Sequence, residues 1–238
     1  MEKHRRQFHI GTEQVNAKGQ LRLSQLLVLC QDIAAEHVEM LGYPREKTFA
    51  QGLVWVIGKT AVEISRLPVF GEEVTLETWP GQRKMFLFPR HLQMKDAKGQ
   101  ILFRATAMWT LLDFAKRTFA APERYGVEVE GLLTGEEIAC PSTLRFEGLQ
   151  EKAILRPSFR DIDLNGHVNN TRYLDLVEDL IPVDYLLSHT PTSLHIHYRK
   201  EVRLGEQIEL AYGRQGDDYR FQSDRFCCQI SYKKDQAD

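Results

Sequence analysis

The chain has 238 residues and a formal net charge of −2, with 31 Lys plus Arg against 33 Asp plus Glu. Hydrophobic residues make up 42% and charged residues 27%, values that exclude disorder, collagen and coiled coil as the main state. So balanced a charge disfavours a nucleic-acid binder, and an acidic partner must be met by a local basic patch.

The start, Met1-Glu2-Lys3-His4-Arg5-Arg6, is charged, and no apolar segment follows it. No run approaches the ~18 apolar residues of a membrane helix. The expectation is a cytoplasmic protein without stable membrane insertion. Cys30, Cys140, Cys227 and Cys228 form no CxxC pair, which fits reduced cytosolic thiols.

A short strand is expected at 6–14. Residues 21–41 then form the clearest helix: Leu23, Leu26, Leu27, Cys30, Ile33, Ala34, His37, Val38 and Leu41 share one stripe. Ser24 suits the N-cap and Gly42 the C′ position. His37 on that stripe reads as a satisfied core histidine. Strands follow at 53–67, 72–82, 85–95 and 100–113, the last two joined by Asp96-Ala97-Lys98-Gly99. Residues 114–150 carry little periodicity and hold Pro122, Gly126, Gly131, Gly135 and Pro141, as a linker would.

The second half repeats the order. A strand at 152–160 leads through a loop to a helix at 170–181, with Tyr173, Leu174, Val177, Leu180 and Ile181 on its apolar face. Strands follow at 192–202, 206–213, 218–224 and 226–233. Gly71-Glu72-Glu73-Val74-Thr75-Leu76 matches Gly205-Glu206-Gln207-Ile208-Glu209-Leu210. The chain therefore reads as α+β, a helix on a curved antiparallel sheet, twice. The expected division is 1–120, a linker at 121–148, and 149–238.

The densest polar cluster, Arg160 to Asn170, lies between a strand and a helix start. Asp163, Asn165 and His167 alternate, so an extended loop would put them on one side. They offer a carboxylate, an amide and an imidazole, with helix-start N–H groups to receive an oxyanion. The same residue types also make ordinary turns.

Asp163-Leu164-Asn165-Gly166-His167-Val168-Asn169-Asn170-Thr171-Arg172-Tyr173 resembles the D-x-N-x-H-V-N-N-x-x-Y signature of acyl-acyl-carrier-protein thioesterases. Gly52-Leu53-Val54-Trp55-Val56, Arg104-Ala105-Thr106-Ala107-Met108-Trp109 and Tyr198-Arg199-Lys200-Glu201 resemble three further blocks of that family, in order. The resemblance implies two tandem hot-dog domains, each a long helix wrapped by a curved antiparallel sheet. It implies release of a free fatty acid from an acylated carrier protein, without metal or organic cofactor. It assigns catalysis to Asp163, Asn165, His167 and Glu201, and acyl-chain selection to the N-terminal copy, where the helix 21–41 and the strand 54–57 could line a tunnel. Many plant members carry cysteine after the glutamate; here Val202 stands there, so no cysteine nucleophile is available at that position.

An acidic carrier protein needs a basic landing site, and Arg83, Lys84, Lys116 and Arg117 are the candidates. A homodimer is an admissible assembly. Rival functions are an acyl-CoA thioesterase of the same fold, a hot-dog dehydratase and a non-catalytic acyl-carrier-binding module. His195-Ile196-His197 offers two imidazoles to a metal but lacks a third ligand nearby. Gly58-Lys59-Thr60 lacks the earlier glycine of a phosphate loop.

Overall fold

The apolar stripe of the first half becomes one helix, α1 (Leu23–Met40), and the sheet curves around it. The computed structural model describes residues 3–127, 129 and 136–235. Arg22, not Ser24, is the N-cap residue of α1. The Arg22 side chain ties back to the Val15 carbonyl at 2.9 Å, and Ser24 lies buried inside the first turn. At the other end Gly42 takes φ 88°. Its N–H meets the Glu39 carbonyl at 2.9 Å, the C′ geometry that favours glycine. A six-residue helix without apolar period, α2 (Arg45–Ala50), follows directly after Pro44.

The strands of the first half are β1 (His4–His9), β2 (Leu53–Ile64), β3 (Glu73–Pro80), β4 (Leu87–Asp96), β5 (Ile101–Asp113) and β6 (Thr118–Phe119). The second half supplies β7 (Glu151–Leu155), α3 (Arg172–Glu178), α4 (Val183–Ser188), β8 (His189–Tyr198), β9 (Ile208–Gln215), β10 (Asp218–Gln222) and β11 (Phe226–Lys234). The two sets join in one sheet ordered β1-β3-β4-β5-β2-β8-β11-β10-β9-β7, with β6 beside β5. The joint is the antiparallel pair β2–β8, from Lys59 opposite His197 to Glu63 opposite Ser193. A shared main core follows: Val62, Leu92 and Phe103 of the first half pack in it with Leu174, Ile196 and Phe221 of the second.

The second half departs from the long helix expected at 170–181. Its helical layer is split into α3 and α4, and Pro182 caps the start of α4. A proline disfavours helical backbone in the residue before it. The break leaves α3 only seven residues long.

The described part of the segment between the halves is tied to the sheet. From Glu136 onward it runs extended across the outer face of the sheet. The Trp79 indole donates to the Glu136 carbonyl at 3.2 Å, and the Lys59 ammonium to the Thr143 hydroxyl at 2.6 Å. Arg199 donates to the Leu144 carbonyl at 3.1 Å. Leu144 and Phe146 bury against Cys227. Gly131 and Gly135 lie outside the described residues. No helix among the described residues is long and apolar enough to cross a membrane.

Candidate active site

The loop before α3 closes as a tight hairpin rather than an extended run. Ile162 bridges Val168, the Asp163 N–H meets the His167 carbonyl at 2.8 Å, and the Gly166 N–H meets the Asp163 carbonyl at 3.0 Å. Gly166 has φ 78°, where a side chain would be strained. Asp161 braces the base: its carboxylate accepts from the Ser158 N–H at 2.7 Å and the Ser158 hydroxyl at 2.8 Å. Behind the loop, the Tyr198 hydroxyl donates to the Asn170 carbonyl at 2.8 Å, and Tyr173 packs edge-on against Tyr198 and Phe226. Burial pushes the Tyr173 hydroxyl up to about 12, so it stays protonated.

This fold sorts the four polar residues into two pairs. Asp163 Oδ1 accepts the Asn165 N–H at 2.8 Å, and Asp163 Oδ2 faces the Asn165 amide nitrogen at 3.4 Å. His167 Nε2 lies 3.1 Å from Glu201 Oε2. The strand-like bridge of His167 to Arg203 and the 2.7 Å bond from the Val168 N–H to the Val202 carbonyl bring the second pair together. Arg225 fixes Glu201 from below, donating to its carbonyl at 2.6 Å.

The helix start contributes less than its sequence suggests. Asn169 Oδ1 accepts from the Thr171 N–H and the Thr171 hydroxyl, both at 3.0 Å. The Arg172 N–H bonds the Asn169 carbonyl at 2.9 Å. These two backbone donors are already engaged within the loop.

Beside the hairpin, the first half opens a cavity of about 200 Å³ between the C-terminal part of α1 and the concave face of β2, β4 and β5. Val38, Leu53, Trp55, Phe88 and Trp109 form its apolar wall, and Asn165 of the second half stands at it as well. Ala34 is the small residue on the helix side, and at Gly81 a Cβ would lie 2.4 Å from His91 Nε2, so glycine there permits the close approach of the chain to β4. Arg45, on α2, crosses from the first half to bond the Asn165 amide oxygen at 2.8 Å. Arg45 and Arg225 gave no sequence signal, and Asp161 stood in the polar cluster without an assigned role, because their roles arise from contacts the fold creates.

The four basic candidates are all exposed, and each has a partner. Arg83 pairs with Glu123, Lys116 with Asp113 at 2.9 Å, and Lys84 lies 3.4 Å from the Cys140 sulfur. Arg117 reaches Glu201 at 3.5 Å and so stands at the polar cluster itself. No cysteine joins the four polar residues. Cys30, Cys227 and Cys228 are buried, and burial raises each thiol. His195 and His197 lie on the β8 face opposite the core residues Leu194 and Ile196. Among the described residues no three His, Cys, Asp or Glu converge in a metal-holding group.

Profiles described as the acyl-ACP thioesterase N-terminal domain and C-terminal domain match residues 1–123 and 147–236. The chain is 25% identical over 223 residues to a chloroplastic acyl-acyl-carrier-protein hydrolase of Cuphea viscosissima, covering 86% of this chain and 52% of that protein. It is 26% identical over 220 residues to the chloroplastic dodecanoyl-acyl-carrier-protein hydrolase of Cinnamomum camphora, covering 86% and 58%. The chain thus spans about half the length of the curated relatives it matches. The crystal structure of an acyl-ACP thioesterase from Bacteroides thetaiotaomicron shares the fold, with a TM-score of 0.89 at 20% identity over 97% of this chain and 98% of the other.

Proposed function

The chain belongs to the acyl-acyl-carrier-protein thioesterase family, and from that premise we propose that it hydrolyses the thioester of an acylated carrier protein to free fatty acid and carrier thiol. One observation carries the reading: Asn165 belongs both to the polar cluster of the second half and to the wall of the apolar cavity in the first. A thioester carbonyl held at Asn165 would send its acyl chain into the cavity and leave its sulfur outside.

Each side chain then has a role. Asp163 brings a carboxylate to the carbonyl carbon. Both routes open to it, deprotonating a water or attacking to give an anhydride that water opens, place the same demand on that residue. The Asn165 amide has its oxygen taken by Arg45, so its N–H₂ is the end left for the carbonyl oxygen as that oxygen becomes negative. One such donor is worth roughly 10²–10³ in rate. His167, oriented by Glu201, supplies the proton that the departing thiolate needs. An intact set of four, next to a chain-sized cavity, favours hydrolysis over a carrier-binding module without turnover.

The test is turnover of one acyl group on two carriers. Higher kcat/KM for the acyl-carrier-protein thioester than for the matching acyl-CoA supports the reading. Equal or inverted values assign the chain to acyl-CoA.

A further inference from the structure

Strand β4 turns Phe88, Arg90, Leu92 and Met94 toward α1, because alternate residues of a strand share a face. Three of the four are the apolar residues such a face calls for. Arg90 is not, yet it is only 4% exposed. It lines the inner part of the cavity together with Phe88, Ala34 and Trp109. The mouth residues Arg45, Phe49 and Asn165 are exposed by contrast.

A buried guanidinium ordinarily faces a carboxylate. Among the described residues this one faces none: its hydrogen-bonding partner there is His37 on α1, with Arg90 Nη1 donating to His37 Nδ1 at 2.8 Å. His37 is itself 3% exposed. Burial first, then the Arg90 charge, hold its imidazole down at about 4, so it is a neutral acceptor. One imidazole nitrogen occupies one of the five N–H donors of a guanidinium.

A plain hydrocarbon chain drawn into this cavity would surround the remaining donors with methylenes and satisfy none of them. Removing polar groups from water without a hydrogen bond is costly, and more so for a charge. An oxygen on the chain would satisfy them. On the far side of Arg90 lies a void of about 10 Å³, lined by Leu27, Cys30, Leu92 and Ala105. The guanidinium therefore also ends the usable cavity, since apolar space resumes behind it.

We propose that Arg90 makes the inner cavity a recognition site for an oxygen-bearing acyl chain, one with a hydroxyl, keto or carboxylate oxygen at the depth of the guanidinium. This rests on the thioesterase reading above and narrows its substrate class. The acyl group comes from a reaction that leaves oxygen on the chain, rather than one that delivers it fully reduced.

The experiment has a kinetic arm and a binding arm. In the first, a ladder of saturated acyl thioesters is compared with the same chain lengths carrying a 3-hydroxy, 3-keto, mid-chain hydroxy, ω-hydroxy or ω-carboxy group. At least one oxygenated position should exceed its saturated counterpart in kcat/KM by about 10- to 100-fold. Arg90→Leu should abolish that preference and accept longer saturated chains. Arg90→Lys, which keeps the cation, should retain part of it. A saturated preference in the unmodified protein, or a preference unchanged in a folded Arg90→Leu protein, overturns the proposal. In the second arm, calorimetry with the free acids, for example decanoic against hydroxydecanoic acids, reads the same selectivity without turnover. Selective binding with no hydrolysis of any thioester would sink the thioesterase reading and leave the Arg90 site standing. Hydrolysis with no selectivity in either arm would do the reverse. Should Arg90→Leu fail to fold, Arg90→Gln removes the charge, keeps an amide in the same place and should lower the same ratio.

Discussion

Arg45 of the first half donates to the amide oxygen of Asn165 in the second at 2.8 Å, across 120 positions of sequence. The bond settles which end of the amide faces Asp163, and it ties the polar hairpin to the rim of the cavity. Neither half holds a complete site.

Arg45→Ala should therefore lower kcat, by about tenfold if the amide loses its orientation, as a misplaced catalytic group does. Stability should move by no more than about 0.5 kcal/mol, because both side chains are exposed. Arg45→Lys should recover part of the rate. Steady-state kinetics and a melting curve read both effects. A KM change with kcat intact would show instead that Arg45 only meets the incoming substrate.

His167 and Glu201, 3.1 Å apart, are predicted to act as a unit. Glu201→Gln and His167→Ala should each reduce kcat by about 10²–10⁴. The double variant should lose little more than the worse single one, since groups that act together are not additive. Fully multiplied losses would mean two separate roles.

A buried histidine and a half-buried glutamate should give opposite pH slopes. His37 is held at about 4 by burial, Arg90 and His4, below its unfolded value. Its contribution is complete above pH about 6.5 and falls as the pH drops toward 4, because the unfolded chain binds the proton first. Glu178 is raised to about 7 by burial and by Asp175 and Asp179. Its folded form keeps a proton that the unfolded form releases, so it costs stability above pH 7 and relatively less below. Glu178→Gln should thus stabilise the protein at pH 8, by roughly 1–3 kcal/mol, clearly less at pH 5, and not at all below the unfolded carboxyl pKa. His37→Gln should flatten the loss on acidification. Denaturant melts at several pH values provide the readings, and a Glu178→Gln gain that does not change with pH would contradict the assignment.

Carrier docking is predicted to involve Arg83, Lys84 and Lys116, although Glu123 and Asp113 already face two of them. Reversing the three to Glu should raise KM for carrier-linked substrate, most at low salt. A short acyl-CoA should be cleaved as before. Arg117 is left unchanged in this variant because it faces Glu201. Equal losses on both substrates would remove these residues from docking.

Much of this architecture is legible in the sequence where local patterns govern it. The stripe on α1, the glycine after it and the turn at 96–99 are short-range features, and their residues are where the pattern puts them. The polar cluster is legible too, since its residue types stand together. What stays hidden is what the fold adds later. α2 is one short helix with no apolar period, and Arg45 on it has meaning only once the two halves share a sheet. The break between α3 and α4 is signalled by Pro182 alone, against an apolar face that continues past it. Asp163, Asn165 and His167 alternate as a strand would, but Gly166 turns the chain and pairs them differently. Arg90 carried a readable signal, a charge on the inward face of an otherwise apolar strand.

The most direct measurement is the release of free fatty acid from an acyl-carrier-protein thioester by the protein and by its Asp163→Asn variant. The variant keeps the shape of the hairpin and loses the charge that acts at the carbonyl. The account predicts a folded protein whose kcat falls by about 10²–10⁴ with little change in KM. Near-normal kcat in that variant would contradict it.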